Sequence, residues 1–125
     1  MSPKKDLDTF GKFLVDNLRD KGIFYAEGLL DGRWKAPALQ GIQSGLSGLS
    51  AAQKQVVRKA VISTIDSAIH DFLFALQEQA GFDNTIQILV NGNNIVEISD
   101  GIHGESFSED GWNAKFSKHE SMEGM

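Results

Sequence analysis

A chain of 125 residues with 41% apolar and 23% charged side chains has the composition of one globular domain, with room for a single core and not for two. The absence of cysteine excludes disulfides, thiol chemistry and thiolate zinc sites, and no window approaches the roughly 18 apolar residues of a membrane span. The net charge of −5 conceals an asymmetry: residues 1–62 carry 10 Lys/Arg against 6 Asp/Glu, and residues 63–125 carry 2 against 11. A nucleic-acid binder presents an excess of positive charge, and the more acidic half here presents the reverse.

The opening residues Met1-Ser2-Pro3-Lys4-Lys5-Asp6 lack the apolar run of a signal peptide, so the expectation is a soluble cytoplasmic protein without nucleic-acid or membrane contacts. From Asp6 to Lys21, Leu7, Phe10, Leu14 and Leu18 recur at spacings of three and four, which predicts a first helix ended by Gly22. Asp6 and Asp8 near its start and Arg19 and Lys21 near its end complement the helix dipole. Ile23 to Leu30 reads as a short second helix closed near Asp31-Gly32, with a short strand as the alternative. Pro37 then interrupts. Trp34, between Arg33 and Lys35, either anchors this connection to the core or stacks on a ligand; the anchor is the preferred reading. The glycine-rich stretch Ser44 to Ser50 reads as a close-packed loop with Leu46 and Leu49 tucked inward. It lacks the GxxxxGK[ST] pattern of a phosphate loop.

Ser50 to Gly81 is predicted to be one long helix that organises the rest. Ser50 is an N-cap, and Gly81 is suited to a left-handed closing residue. Projected at about 100° per residue, Val57, Val61, Ile62, Ile65, Ala68, Ile69, Phe72, Leu73, Leu76 and Ala80 form a core-facing arc. Lys59, Ser63, Asp66, His70 and Gln77 centre the opposite face. Val56 and Phe74 break this division, so Phe74 is either covered by later strands or left as a contact patch. Lys54, Arg58 and Lys59 oppose the helix dipole in the first turns and call for an anionic neighbour, an internal salt link such as the acidic tail in preference to a bound phosphate.

After Gly81 the period becomes strand-like. Thr85 to Val90 and Ile95 to Ile98 flank Asn91-Gly92-Asn93-Asn94, whose Asn-Gly pair is the strongest short-range hairpin signal. Segments 105–107 and 113–116 are candidates for a further strand. In the loop from Ser99 to Trp112, Ile102, Phe107, Trp112 and Phe116 serve as anchors that hold the polar side chains between them. Residues 1–5 and 118–125 are expected to fray.

These readings give a single α+β domain over residues 1–125: N-terminal helices and a long central amphipathic helix packed against a C-terminal antiparallel hairpin or small sheet. The expected function is a small interaction protein, an inhibitor, immunity-type or regulatory protein, whose acidic C-terminal surface binds a basic partner protein. Asp100, His103, Glu105, Glu109 and Asp110 would supply the charge and Trp112 the anchor. A homo-oligomer pairing basic and acidic halves is compatible with this. The alternative is a small hydrolase or metal-dependent enzyme near His70, Asp66, His103 and Glu105, with His119 as a further ligand type. No HExxH or calcium-loop pattern supports a metal, so no cofactor is expected. Ser63, Asp66 and His70 share one helix row and do not converge as a nucleophile, base and orienter must; Asp66 is expected to pair with His70 instead.

Overall fold

The computed structural model describes residues 3–107 and 110–119. The chain opens with α1 (Pro3–Leu14), passes through a π-helical turn (Val15–Arg19) and continues as α2 (Asp20–Asp31). The backbone stays helical through both junctions. Gly22 therefore does not end the first helix. Its place in the interior is explained by close packing: a Cβ there would come within 2.9 Å of Ile65 Cδ1 on the central helix. The helix ends where Gly32 takes the left-handed conformation, φ 66°, and Arg33 N–H donates to Gly28 O at 2.8 Å. Residues 23–30 are thus helix, and the strand alternative falls. Helical structure also begins at Pro3, earlier than the fraying expected over residues 1–5.

Trp34 anchors the following connection. Its indole Nε1–H donates to Tyr25 O at 2.9 Å, its backbone N–H donates to Gln43 Oε1 at 3.0 Å, and its ring lies where a Cβ on Gly28 would otherwise stand. A 3₁₀ turn (Pro37–Leu39) leads into α3 (Gln40–Ser47). Most of the stretch read as a glycine-rich loop is therefore helical, with Leu46 and Leu49 half-buried.

The central helix, α4 (Ala51–Ala80), starts with a full capping box. Ser50 Oγ accepts from Gln53 N–H at 3.1 Å and Gln53 Oε1 accepts from Ser50 N–H at 2.8 Å. Ile62, Ile69, Leu73 and Leu76 are buried. Phe72, expected among them, is 56% exposed, and Ala68 is exposed too. A helix of 30 residues is about 45 Å long, and the neighbouring elements cover a narrower strip of it than the sequence arc suggested. Gly81 caps in the right-handed region, φ −75°. The left-handed residue is Asn84, φ 51°, while the Gln79 amide bridges Leu76 O and Ile86 O.

The hairpin turn forms as its dipeptide dictates, with Asn91 at φ 52° and Gly92 at φ 84°. Its strands are only two residues each: β1 (Leu89–Val90) pairs antiparallel with β2 (Asn93–Asn94), Leu89 opposite Asn94 and Val90 opposite Asn93. The expected second strand is the helical turn α5 (Ile95–Ile98). Asn94 Oδ1 accepts from Val96 N–H at 3.1 Å, an N-cap that turns the chain and drives Ile95 into the core. Neither proposed extra strand exists: residues 105–107 are a turn and α6 is helical (Trp112–Phe116). The architecture is mostly helical with one small antiparallel pair.

The main core joins Leu7 and Val15, Ile69, Leu73 and Leu76 of α4, and Ile95, Ile102 and Trp112 from the last third of the chain. Gly11 is the seat of Trp112, since a Cβ at that position would overlap the indole, and Phe10 meets the same ring edge-on at 5.7 Å between centroids.

Candidate functional site

The feature that stands out chemically is an aromatic and histidine cluster between α4 and the 3₁₀ turn Ile102–Gly104. The turn is held against the helix by Ile102, which is buried and whose N–H donates to Gln77 Oε1 at 2.8 Å. This brings His103 over the row formed by His70 and Phe74, one helical turn apart. The ring centroids of His103 lie 5.3 Å from His70 and 5.0 Å from Phe74, both edge-on. His70 stacks nearly parallel to Phe74 at 6.4 Å, and Phe107 tilts against His70 at 5.9 Å. His103 Nδ1 is buried without a hydrogen-bond partner among the described residues. Phe74 and Phe107 remain 44% and 45% exposed. The later chain thus folds beside Phe74 without covering it, and Phe107, expected as a core anchor, faces outward.

The other predicted site residues differ in exposure. Asp100 and Asp110 are exposed and Glu105 is half-buried, with the Glu105 carbonyl accepting from Trp112 N–H at 2.9 Å. Glu109 lies outside the described residues. Trp112 is 1% exposed and belongs to the core. It is not a surface anchor, because the seat at Gly11 on α1 takes its whole ring. Among the described residues, no group of three or more His, Asp or Glu is arranged to hold a metal ion. Two open clefts, of about 440 and 430 Å³, lie elsewhere, one along Lys5, Lys12, Phe13 and Phe116, the other along Glu27, Arg33, Lys54 and Arg58.

Asp66 does not pair with His70. It receives Arg19, with Nε to Oδ1 at 2.6 Å and Nη2 to Oδ2 at 3.1 Å, while His70 Nδ1 lies 3.3 Å from Asp71 Oδ1. Arg19 sits in the π-helical turn, 1% exposed, and its Nη1 also donates to Ser117 Oγ at 2.9 Å. The Ser117 hydroxyl donates to Asp20 Oδ1 at 2.6 Å, and Lys118 N–H donates to Asp20 Oδ2 at 2.9 Å. His119 approaches Glu27 at 3.8 Å, far along the chain from the His70 cluster. Lys118 and His119 are therefore held against α2, where fraying was expected; residues 120–125 lie outside the described residues. Arg58 meets Glu27 at 2.9 Å, so α2 supplies an anionic neighbour to the first turns of α4; the acidic tail beyond His119 lies outside the described residues.

Asp6, 1% exposed, accepts from Asn91 Nδ2 at 2.8 Å and Asn93 Nδ2 at 2.7 Å. These two amides, Asn91 first, hold its carboxyl below the ordinary aspartate value although burial pushes the other way. The Asp8 carboxylate, 3.0 Å away, raises the pKa of Lys115. No helix among the described residues is long and apolar enough to cross a membrane. No protein-family model, curated protein or solved structure matches this chain.

Proposed function

We propose that the chain is a small interaction protein of the inhibitor, immunity-type or regulatory kind, whose acidic C-terminal half binds a basic partner protein. The observation that carries this reading is the pair of exposed rings, Phe74 and Phe107, set around His70 and His103 in the half of the chain with 11 acidic and 2 basic residues. Aromatic side chains are the usual energetic centre of an interface. Surrounding charge steers the encounter and rejects wrong partners. Asp71, Asp100 and Asp110, all exposed, supply that charge, with His103 inside the ring cluster and Glu105 two residues along the chain from it. Phe74 and Phe107 take the anchoring role assigned from sequence to Trp112. A second copy offering its basic half satisfies the same chemistry.

The test is capture of a basic protein by the immobilised chain, compared with Phe74→Ala and with Asp100→Lys/Asp110→Lys. A central aromatic anchor contributes about 2 kcal/mol, roughly thirty-fold in Kd, so Phe74→Ala is expected to lose capture while keeping its thermal melt. Charge reversal is expected to weaken capture most at low salt. Retention of the partner by every variant, or no basic protein bound by the wild type, sinks the reading. The adjacency of His70 and His103 supports a second reading, a metal-dependent hydrolase with Glu105 nearby. Stoichiometric transition metal in the purified protein, lost on His103→Ala, would favour it over the first.

A further inference from the structure

We propose that Asn91 is a site of spontaneous deamidation, and that its conversion releases the hairpin from α1. Asn91 is followed by Gly92, so no side chain shields the backbone nitrogen that must attack, and both residues sit on the exposed turn. In the reaction the Gly92 nitrogen loses its proton and bonds to Asn91 Cγ. The Cγ–Nδ2 bond breaks and Nδ2 leaves as ammonia, taking up a proton. Water then opens the cyclic imide at either carbonyl, giving aspartate or the isomer whose backbone runs through the side chain. The remaining described asparagines, Asn17, Asn84, Asn93, Asn94 and Asn113, precede residues with side chains and lack this open approach.

The folded protein acts on the site twice. While the clasp is closed, the Asn91 amide is engaged with Asp6 Oδ1 at 2.8 Å and the turn is fixed at φ 52°. Cyclisation requires the side chain to leave that partner and swing toward Gly92 N, so the clasp slows it. Once converted, the group facing Asp6 is an anion in place of a donor. Asp6 is buried and, among the described residues, keeps the hydrogen bond from Asn93, at 2.7 Å, on its other oxygen. Two carboxylates at this distance cannot both remain charged and close together. One of the contacts that tie the hairpin to α1 is therefore exchanged for a repulsion, and because ammonia is lost the change runs one way.

Two experiments test this. Full-length wild type and Asp6→Ala are incubated at mildly alkaline pH and mapped by peptide mass spectrometry, with urea-denatured samples as the reference. Asn91 is expected to convert faster than any other asparagine, several-fold faster in folded Asp6→Ala than in folded wild type, and at one common rate in urea. Conversion at Asn91 no faster than at Asn84 or Asn93 overturns the assignment. Thermal melts at neutral pH then compare Asn91→Asp, Asn91→Ala and the double variant Asp6→Asn/Asn91→Asp. The acidic variant is expected to melt lowest. The double variant is expected to recover most of the loss, because the amide placed at position 6 donates to the carboxylate at position 91. This second experiment decides the matter even if Asp6→Ala fails to fold, and equal melting of Asn91→Asp and Asn91→Ala refutes the repulsion.

Discussion

Removing the carboxylate of Asp66 isolates the most deeply buried cation of the fold. Arg19 is 1% exposed and makes two of its three side-chain contacts to Asp66, at 2.6 and 3.1 Å, with the third to Ser117 at 2.9 Å. Breaking a buried pair by deleting one partner costs about 3–5 kcal/mol. The Asp66 side chain is itself 14% exposed and admits some water to the gap, so Asp66→Ala is placed at the low end, about 3 kcal/mol. With an unfolding entropy of about 2.1 cal/mol/K per residue, a chain of this length should lose roughly 11 °C in Tm. Urea titration with unchanged slope and a parallel thermal melt measure both quantities. The companion double variant Arg19→Met/Asp66→Leu replaces the pair by apolar groups of similar size and should be more stable than Asp66→Ala alone. A cost below about 1 kcal/mol for Asp66→Ala, the range of solvent-exposed pairs, would show that water already screens this contact and refute the argument.

Gly11→Ala should destabilise by about 1–3 kcal/mol through overlap with the Trp112 ring, although helix propensity alone favours alanine by about 1 kcal/mol. The control Gly45→Ala, where a Cβ meets nothing within 4 Å, should show that favourable sign; urea titration of both variants checks the pair. The Asp6 carboxyl is lowered on folding, so the stability it brings is fully present above the unfolded value of about 3.9. It disappears as pH falls through the lower folded value. Urea melts near pH 5 and about pH 2.5 should therefore show a smaller acid loss in Asn91→Ala/Asn93→Ala than in wild type, and equal losses would reject the clasp as the cause.

Where structure is set by neighbouring residues, the sequence reading held. The start of α4 follows from Ser50 and Gln53, and the Asn91-Gly92 turn from two residues that tolerate positive φ. It failed where a distant partner decides. Gly22 resembles a helix stop until Ile65 is seen to need its space. Ile95 to Ile98 has a strand composition, yet the Asn94 cap and the buried site for Ile95 turn it into a helix. Arg19 reads as a partner of the helix dipole, but its counter-ion is 47 residues away. At the candidate site, the pattern already singled out Phe74, His70 and His103; Trp112 was misplaced because nothing local marks Gly11 as its seat.

The bond between Arg19 and Ser117 spans 98 positions, and this bears on how the molecule is made. At translation speeds of about 5–20 residues per second, on the order of 5–20 s separate the emergence of the two groups. During that interval the leading helix leaves the ribosome with its guanidinium still hydrated and the indole's berth vacant. Packing around Arg19 thus waits until the segment near Ser117 has been made, which gives this domain a late, long-range closing step.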